Sequence, residues 1–411
     1  MRRTFAFLLT LALAAAVGSA QSKSKTLDIY YLDMEGGHGT LYVAPTGESL
    51  LMDTGSPGGR DTDRIMAAIQ AAGVKQIDHM LLTHYHGDHV GGMQELAARI
   101  PIVQYIDHGP NSEPKEQVPG FQKWYDVALT KAKHTVAKPG DKLPFDGVTV
   151  TVVTSNGQVI KTPLPGGGKP NPACADFKPR DESRNDPDNA MSVGVVFTYG
   201  KFRTVNLGDF TWNAEKELMC PNNPIGTVDL YLTSHHGIDQ SGSPLLVHAL
   251  APRVAVMHNS AFKGGAIQTM QTLHTSPGLE DIWQLHWANA AGLEQNSPSL
   301  FIANVEDNET LANTLLRPPA TFGQGGRGPG GPGAGGPPSA AGGAPNARPP
   351  AGAAPNAPGQ GGRAGGGAPG GGRGAGHTGP AFWIKVSAQA DGSFTVTNTR
   401  NNFSKTYAAR K

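Results

Sequence analysis

The sequence predicts a layered α/β domain, and two observations lead to that prediction. Apolar strand patterns alternate with helical patterns along residues 26–316, and several of the predicted strands end in ionisable side chains. Alternating elements of this kind pack as helices against sheets. Because open α/β sheets carry functional groups at the carboxyl ends of their strands, we expect the ionisable residues to meet at one edge.

The predicted elements follow one another closely. A turn at Gly36-Gly37 separates the first two strands, and Gly73 ends the first helix. The predicted strands are residues 27–32, 39–43, 49–52, 79–83, 102–106, 148–153, 193–199, 203–207 and 228–233. The predicted helices are residues 61–72 and 94–100.

The N-terminus has the pattern of a secretory signal peptide. Arg2 and Arg3 precede an apolar run over residues 5–17, and small residues follow up to Ala20. This run is too short to span a bilayer, which favours a cleaved signal over residues 1–20. The sequence therefore predicts a periplasmic or secreted protein. No later segment has the length and apolarity of a transmembrane helix.

Residues 317–380 differ in composition from the rest of the chain. They include 24 Gly and 13 Pro and no acidic residue. Such a stretch cannot bury enough apolar surface to offset its ordering entropy, so we predict a disordered insertion after a main domain over residues 21–316. This segment would serve either as a spacer or as a tether whose arginines bind an anionic surface. Residues 381–411 then carry two strand patterns around Asp391-Gly392, which predicts a β-hairpin that docks on the main domain.

Charge and cysteine content limit the classes of function. The formal net charge of the 411 residues is +1, so no overall attraction to nucleic acid is indicated. Cys174 and Cys220 are the two cysteines of the chain. In an exported protein they either pair or remain as two thiols.

The strongest chemical signal is the segment His84-Tyr85-His86-Gly87-Asp88-His89. It follows a predicted buried strand. In extended backbone His84 and His86 point the same way, and two converging imidazoles suit a zinc-like cation. Asp88 and His89 add two further ligands at once. Four such side chains are costly to bring together unless a cation binds them.

Two later strands deliver similar groups. Strand 203–207 runs into Gly208-Asp209, and strand 228–233 runs into Ser234-His235-His236. Each places its ionisable side chain at a carboxyl end, where the motif at residues 84–89 also lies. The three segments together predict one metal site.

These motifs resemble those of the metallo-β-lactamase superfamily over about residues 26–305. The resemblance implies an αββα sandwich with two metals between the sheet edges, zinc first, with manganese or iron as alternatives. It implies that Asp209 bridges the metals, and that His235 or His236 completes the second site, with His235 preferred. The remaining implied ligands are His84 and His86 for one metal and Asp88 and His89 for the other.

Within that superfamily the sequence is similar to the hydrolase domain of bacterial DNA-uptake (competence) channel proteins. The segments that carry this similarity are 33–39, 189–193 and 232–237. It implies hydrolysis of a phosphodiester by a metal-activated hydroxide, with Asp88 orienting the hydroxide and His236 donating a proton. Nucleic acid and small phosphodiesters are then both candidate substrates. The alternatives are a β-lactam, lactone or other ester substrate, or a non-catalytic protein with a vestigial site.

One ligand of the family pattern is missing. Many members carry a third His for the first metal, at a position that falls near residues 154–156, where this chain has Thr-Ser-Asn. His108, which follows strand 102–106, is the candidate substitute. His38, in the Gly-rich turn before the metal motif, is a weaker candidate for the site.

Overall fold

Two nine-stranded sheets organise the part of the chain that this computed structural model describes, residues 26–183, 186–305 and 381–410. The strands are β1 (Leu27–Tyr31), β2 (Thr40–Val43), β3 (Ser49–Met52), β4 (Ile77–Leu81), β5 (Ile102–Asp107), β6 (Lys133–Val136), β7 (Lys142–Leu143), β8 (Thr149–Ser155), β9 (Gln158–Val159), β10 (Lys169–Pro170), β11 (Gly194–Tyr199), β12 (Phe202–Asn206), β13 (Asn222–Asn223), β14 (Leu230–Leu232), β15 (Val254–Met257), β16 (Asp281–His286), β17 (Ile302–Asn304), β18 (Ile384–Ala388), β19 (Phe394–Asn398) and β20 (Phe403–Tyr407). The helices are α1 (Arg60–Ala72), α2 (Gly87–Val90), α3 (Met93–Ala97), α4 (Phe121–Leu129), α5 (Trp212–Met219), α6 (Pro244–Leu250), α7 (Ile267–His274) and α8 (Gly292–Gln295).

The order of the strands brings their carboxyl ends together. The first sheet runs β20-β19-β18-β1-β2-β3-β4-β5-β6, and the second runs β17-β16-β15-β14-β12-β11-β8-β7 with β9 paired to β8. Strands β3 to β6 are parallel, and so are β12 and β14 to β17. The loops that leave these parallel strands therefore lie at one edge of each sheet.

The pleat of the strands divides the apolar residues between three layers of core. Leu27, Ile29 and Tyr31 of β1 pack between the two sheets, while Tyr30 packs on the other face beneath the helices. Helices α1 and α4 cover the first sheet, and α5, α6 and α7 cover the second. The result is an αββα sandwich, so the predicted fold class is confirmed.

The C-terminal residues complete the first sheet. Strand β18 pairs with β1 in antiparallel register, with Ile29 opposite Val386. The expected hairpin gains a third strand, β20, which pairs with β19. The signal-peptide prediction for residues 1–20 and the insertion predicted at 317–380 lie outside the described residues.

Cys174 and Cys220 form a disulfide, which decides between the two alternatives for these cysteines. It joins the segment around Cys174 to the end of α5. In the described ranges, none of the helices is sufficiently long and apolar to traverse a bilayer.

Replacing Phe394 by Ala tests whether the C-terminal strands belong to the core. Phe394 is 1% exposed and packs on Tyr407 and Phe202. We expect Phe394→Ala to lower the free energy of unfolding by about 3–5 kcal/mol because it leaves a cavity. Phe262, which is 60% exposed, offers the matched control, and Phe262→Ala should change the value by about 0.5 kcal/mol or less. Equal effects in chemical denaturation would show that the strands add no core stability.

Candidate metal centre

The side chains predicted from sequence meet at the carboxyl edge of both sheets. Thr83 and the motif at 84–89 follow β4, Asp209 follows β12, and His235-His236 follow β14. Asp53 follows β3 and joins the same edge. The ends of these strands therefore bring the segments to one edge.

Asp209 lies at the middle of a ring of imidazoles. Its side chain is 3% exposed, and its Oδ2 atom faces the Nε2 atoms of four histidines. The Nε2 to Oδ2 distances are 3.9 Å for His84, 3.3 Å for His89, 3.3 Å for His235 and 3.2 Å for His236. One carboxylate and four imidazole nitrogens thus converge on a small buried volume.

This donor set fits a divalent cation. Nε2 of His84 is buried and has no hydrogen-bond partner among the described residues, a costly arrangement unless a cation accepts its lone pair. Imidazoles with one carboxylate are also the donors that zinc prefers. His89 and Asp209 lie close enough to His84 to share one ion. His89 also forms a second group of possible ligands with Asp88 and His236.

The electrostatics of the group favour neutral imidazoles around a charged carboxylate. Burial raises the pKa of Asp209, but the facing imidazoles, chiefly those of His235 and His236, outweigh burial and hold it well below its usual range. Burial lowers the pKa of His235 to about 3 and also lowers that of His236. A neutral, buried His236 suits cation binding better than proton donation.

His89 is the exception among these imidazoles. Burial opposes a charge on its ring, but the carboxylates of Asp209 and Asp53 outweigh burial and raise the pKa to about 10. A cation that binds His89 at neutral pH therefore displaces a proton from it.

Asp53 orients His89 through a hydrogen bond on the side of the ring away from Asp209. Its carboxylate accepts a hydrogen bond from His89 Nδ1 at 2.7 Å, one from the Thr83 hydroxyl at 2.6 Å and one from the Thr83 backbone N–H at 2.8 Å. His38 Nδ1 lies 2.9 Å from the same carboxylate. Asp53 thus directs His89 Nε2 towards Asp209, as a carboxylate behind a metal-binding His does.

Asp88 has a second partner besides the imidazoles. Its Oδ2 atom lies 3.6 Å from His236 Nε2, and the ammonium group of Lys263 pairs with the same oxygen. The Gly36-Gly37 turn packs against this residue, because a Cβ at position 37 would lie 2.6 Å from the Asp88 carbonyl oxygen. Asp88 and Lys263 form the more exposed side of the centre, with side chains 16% and 29% exposed.

His86 is not part of the group around Asp209. Its Nε2 atom lies 2.8 Å from Glu113 Oε1 and 3.6 Å from Asp186 Oδ2. Its ring nevertheless lies beside His84, with the ring centroids 4.4 Å apart. The structure therefore separates the motif into an imidazole group around Asp209 and a second group around His86.

The double-His segment has an unusual backbone. His235 and His236 have φ values of 54° and 57°, and Asp53 has a φ of 59°. Each such residue costs about 1–3 kcal/mol, and such conformations cluster at functional sites. At His235 and His236 the conformation turns both rings towards Asp209.

The missing third imidazole is not replaced by His108. Nε2 of His108 lies 3.3 Å from Asp188 Oδ1, and Asp188 also accepts the Tyr85 backbone N–H. His108 therefore supports the metal loop through Asp188. The hydroxyls of Thr154 and Ser155 donate to the backbone carbonyls of Ser192 and Ala137.

Four contributing residues were not predicted. Asp53 follows β3 directly, so the strand-end argument could have identified it. The other three lie in loops with no periodic pattern and could not have been found in this way. They are Lys263, Glu113 and Asp186.

Comparison with known families agrees with this geometry. Residues 35–169 match the model of the metallo-beta-lactamase superfamily. This segment contains the motif at 84–89, and the αββα sandwich is the fold that the motif implied. The chain thus carries a metallo-β-lactamase fold.

Individual relatives match over part of their length. An atrochrysone carboxyl ACP thioesterase of Aspergillus fumigatus is 30% identical over 31% of this chain and 33% of its own length. Ribonuclease Z of Methanopyrus kandleri is 30% identical over 32% of this chain and 47% of its own length. The chain thus spans between a third and a half of these relatives. The metallo-beta-lactamase fold protein YhfI of Bacillus subtilis is 14% identical over 63% of this chain and 95% of its own, with a TM-score of 0.40.

Replacing Asp53 by Asn tests whether its carboxylate orients His89 for metal binding. We expect Asp53→Asn to weaken zinc binding by about 10- to 100-fold, because the His89 ring loses its orienting carboxylate. The measurement is a zinc titration against a chelator of known affinity. Asp63→Asn, at a carboxylate 68% exposed, is the control and should bind zinc as the parent does. Unchanged affinity in Asp53→Asn, with a normal melting temperature, would show that Asp53 does not act on the metal.

Proposed function

We propose that this chain is a metal-dependent hydrolase whose preferred substrates are phosphodiesters. The convergence of four imidazoles on the Asp209 carboxylate, within 3.2–3.9 Å, carries the proposal. A divalent cation held by these residues would supply Lewis acidity and a nucleophilic water at neutral pH. The prediction of two zinc ions, or of manganese or iron instead, rests on the same donor set.

We assign cation binding, orientation of the attacking water and substrate recognition to individual residues of the chain. Asp209 lies between the imidazoles as a bridging carboxylate would, and we assign both His235 and His236 to cation binding because both face its Oδ2 atom. We assign Asp88 to orienting the attacking water from the exposed side. We assign Lys263, which pairs with Asp88, to recognition of an anionic group of the substrate.

The phosphodiester preference is supported by three observations. The double-His segment resembles that of DNA-uptake channel hydrolases, and one relative is a ribonuclease Z. The ammonium group of Lys263 stands at the open side of the centre, where a phosphodiester would bring its negative charge. A net charge of +1 argues for small phosphodiesters over long nucleic acids.

Hydrolysis of a thioester or another ester is the second candidate. Thioesterases are among the relatives. Phe262, next to Lys263, is 60% exposed and offers an apolar surface beside the centre. Turnover of an acyl thioester with none of bis(p-nitrophenyl) phosphate would favour this candidate.

We also propose that the protein is exported. The N-terminal pattern at residues 1–20 supports this, and so does the disulfide between Cys174 and Cys220, because disulfides persist in oxidising compartments. Cell fractionation followed by N-terminal sequencing of the mature protein tests it. A cytosolic protein that retains Met1 would contradict export.

Replacing Asp209 or His86 tests the hydrolase assignment. We expect Asp209→Ala and His86→Ala each to reduce turnover of bis(p-nitrophenyl) phosphate to the level of chelator-treated protein, since Asp209 faces the four imidazoles and His86 packs on His84 of that group. His274 is an exposed imidazole of α7, and His274→Ala is the control with unchanged turnover. A fully active Asp209→Ala would refute the assignment.

Replacing Lys263 by Met tests how the substrate is recognised. For an anionic phosphodiester we expect KM to rise by about 10-fold, the loss of one charge-assisted contact of about 1.4 kcal/mol. For p-nitrophenyl acetate, which carries no charge, KM should stay constant. Lys131→Met changes an exposed lysine elsewhere and serves as the control. Equal effects on both substrates would exclude charge recognition by Lys263.

A further inference from the structure

A buried carboxylate lies outside the metal centre, on the helix that follows Asp209. Glu215 of α5 is 0% exposed. Each of its oxygens accepts one backbone N–H, since Oε1 lies 2.6 Å from the Gly242 nitrogen and Oε2 lies 2.8 Å from the Ser243 nitrogen. Both N–H groups belong to the segment that leads from the double-His segment to α6. A buried carboxylate is unfavourable without such partners, so Glu215 and this segment hold each other in place.

The residue before Gly242 contacts the metal centre. Ser241 is 1% exposed, and its Oγ atom lies 3.2 Å from Nδ1 of His235. The other ring nitrogen of His235, Nε2, lies 3.3 Å from Oδ2 of Asp209. A hydrogen bond at Nδ1 sets both the tautomer and the orientation of an imidazole whose Nε2 binds a cation. Ser241 therefore determines how His235 faces Asp209.

Glu215 fixes the place of Ser241, because it holds the two N–H groups that follow Ser241 in the chain. The backbone at Gly242 has a φ of 71°, a left-handed conformation that favours glycine. The chain thus turns sharply at residues 241–243. At this turn the Ser241 hydroxyl faces His235, and the next two N–H groups face Glu215.

The charge of Glu215 matters for these contacts. Burial raises the pKa of Glu215 to about 7, although the Ser243 hydroxyl, the two N–H groups and the charge of Arg180 favour the ionised form. Besides Arg180, the titratable group that faces Glu215 from a neighbouring element is the phenol of Tyr231, whose pKa is raised by burial. Protonation of Glu215 would turn one acceptor oxygen into a hydroxyl and leave less acceptor capacity for two N–H donors.

We propose that Glu215 is a positioning residue of the metal centre, whose carboxylate holds the turn at residues 241–243 and, through Ser241, orients His235 for cation binding. Its contacts are with the turn and not with the ring of imidazoles. The inference rests on the metal dependence proposed above and is independent of the substrate. It implies that the cation affinity of the centre depends on a proton that binds away from the ligands.

A double-mutant cycle on zinc affinity tests this in the full chain. The variants are Glu215→Gln, Ser241→Ala and the two combined, each titrated with zinc against a chelator of known affinity at about pH 8. We expect each single variant to bind zinc about 10-fold more weakly. The double variant should also lose about 10-fold and not about 100-fold, because both changes break the same link. A Glu215 that only supports the fold would give either no loss or losses that multiply.

The pH dependence of zinc binding gives a second readout. Ionised Glu215 holds both N–H groups and neutral Glu215 does not, so the parent should lose its advantage over Glu215→Gln as the pH falls through about 7. The ratio of the two zinc affinities should fall from about 10 at about pH 8 towards about 1 at about pH 6. Because both proteins have the same imidazoles, protonation of the ligands cancels in this ratio.

Matched controls use exposed positions elsewhere. Glu217→Gln on α5 and Ser299→Ala should bind zinc as the parent does. If Glu215→Gln fails to fold, the same pH-dependent ratio measured with Ser241→Ala decides, since Ser241 is the link to His235. Losses that multiply in the double variant, or an affinity ratio that stays constant between about pH 6 and about pH 8, would overturn the inference. A parent that binds no zinc would overturn the proposed function as well.

Discussion

The geometry of the centre depends on the buried carboxylate of Asp53. It is 0% exposed and is tolerated there because Thr83 and His89 donate three hydrogen bonds to it. Through Thr83 it sets the path of the chain into the motif, and through His89 it aims an imidazole at Asp209. A single charge at the end of β3 thus joins the strand to the metal loop.

Groups that follow directly from a strand were predictable from sequence, and groups in loops were not. His84, Asp209 and His235 each lie three residues beyond an apolar strand, so strand polarity alone brings them together. Glu113 and Asp186 reach the site through long loops whose course depends on contacts with Gln117 and Asp188. No local pattern encodes those contacts, so the sequence did not indicate that Asp188 pairs with His108.

The same distinction applies to the fold. The apolar alternation of β18 and β19 is clear, and both strands were expected. Strand β20 is an edge strand with the burial pattern of a half-exposed element, so few apolar residues mark it. Strand β20 contributes to the core through Tyr407, which is 1% exposed and donates a hydrogen bond to Asp281. That contact between distant segments is a tertiary feature without a local signal.

The imidazole group around Asp209 is held by rigid elements of the fold. Its members follow strand ends, and the left-handed backbone of His235 and His236 is maintained there by contacts such as the His235 N–H to the Gly208 carbonyl at 3.0 Å. Strain of this kind persists only where the surroundings determine the conformation. The fold therefore sets the positions of these imidazoles before any ligand binds.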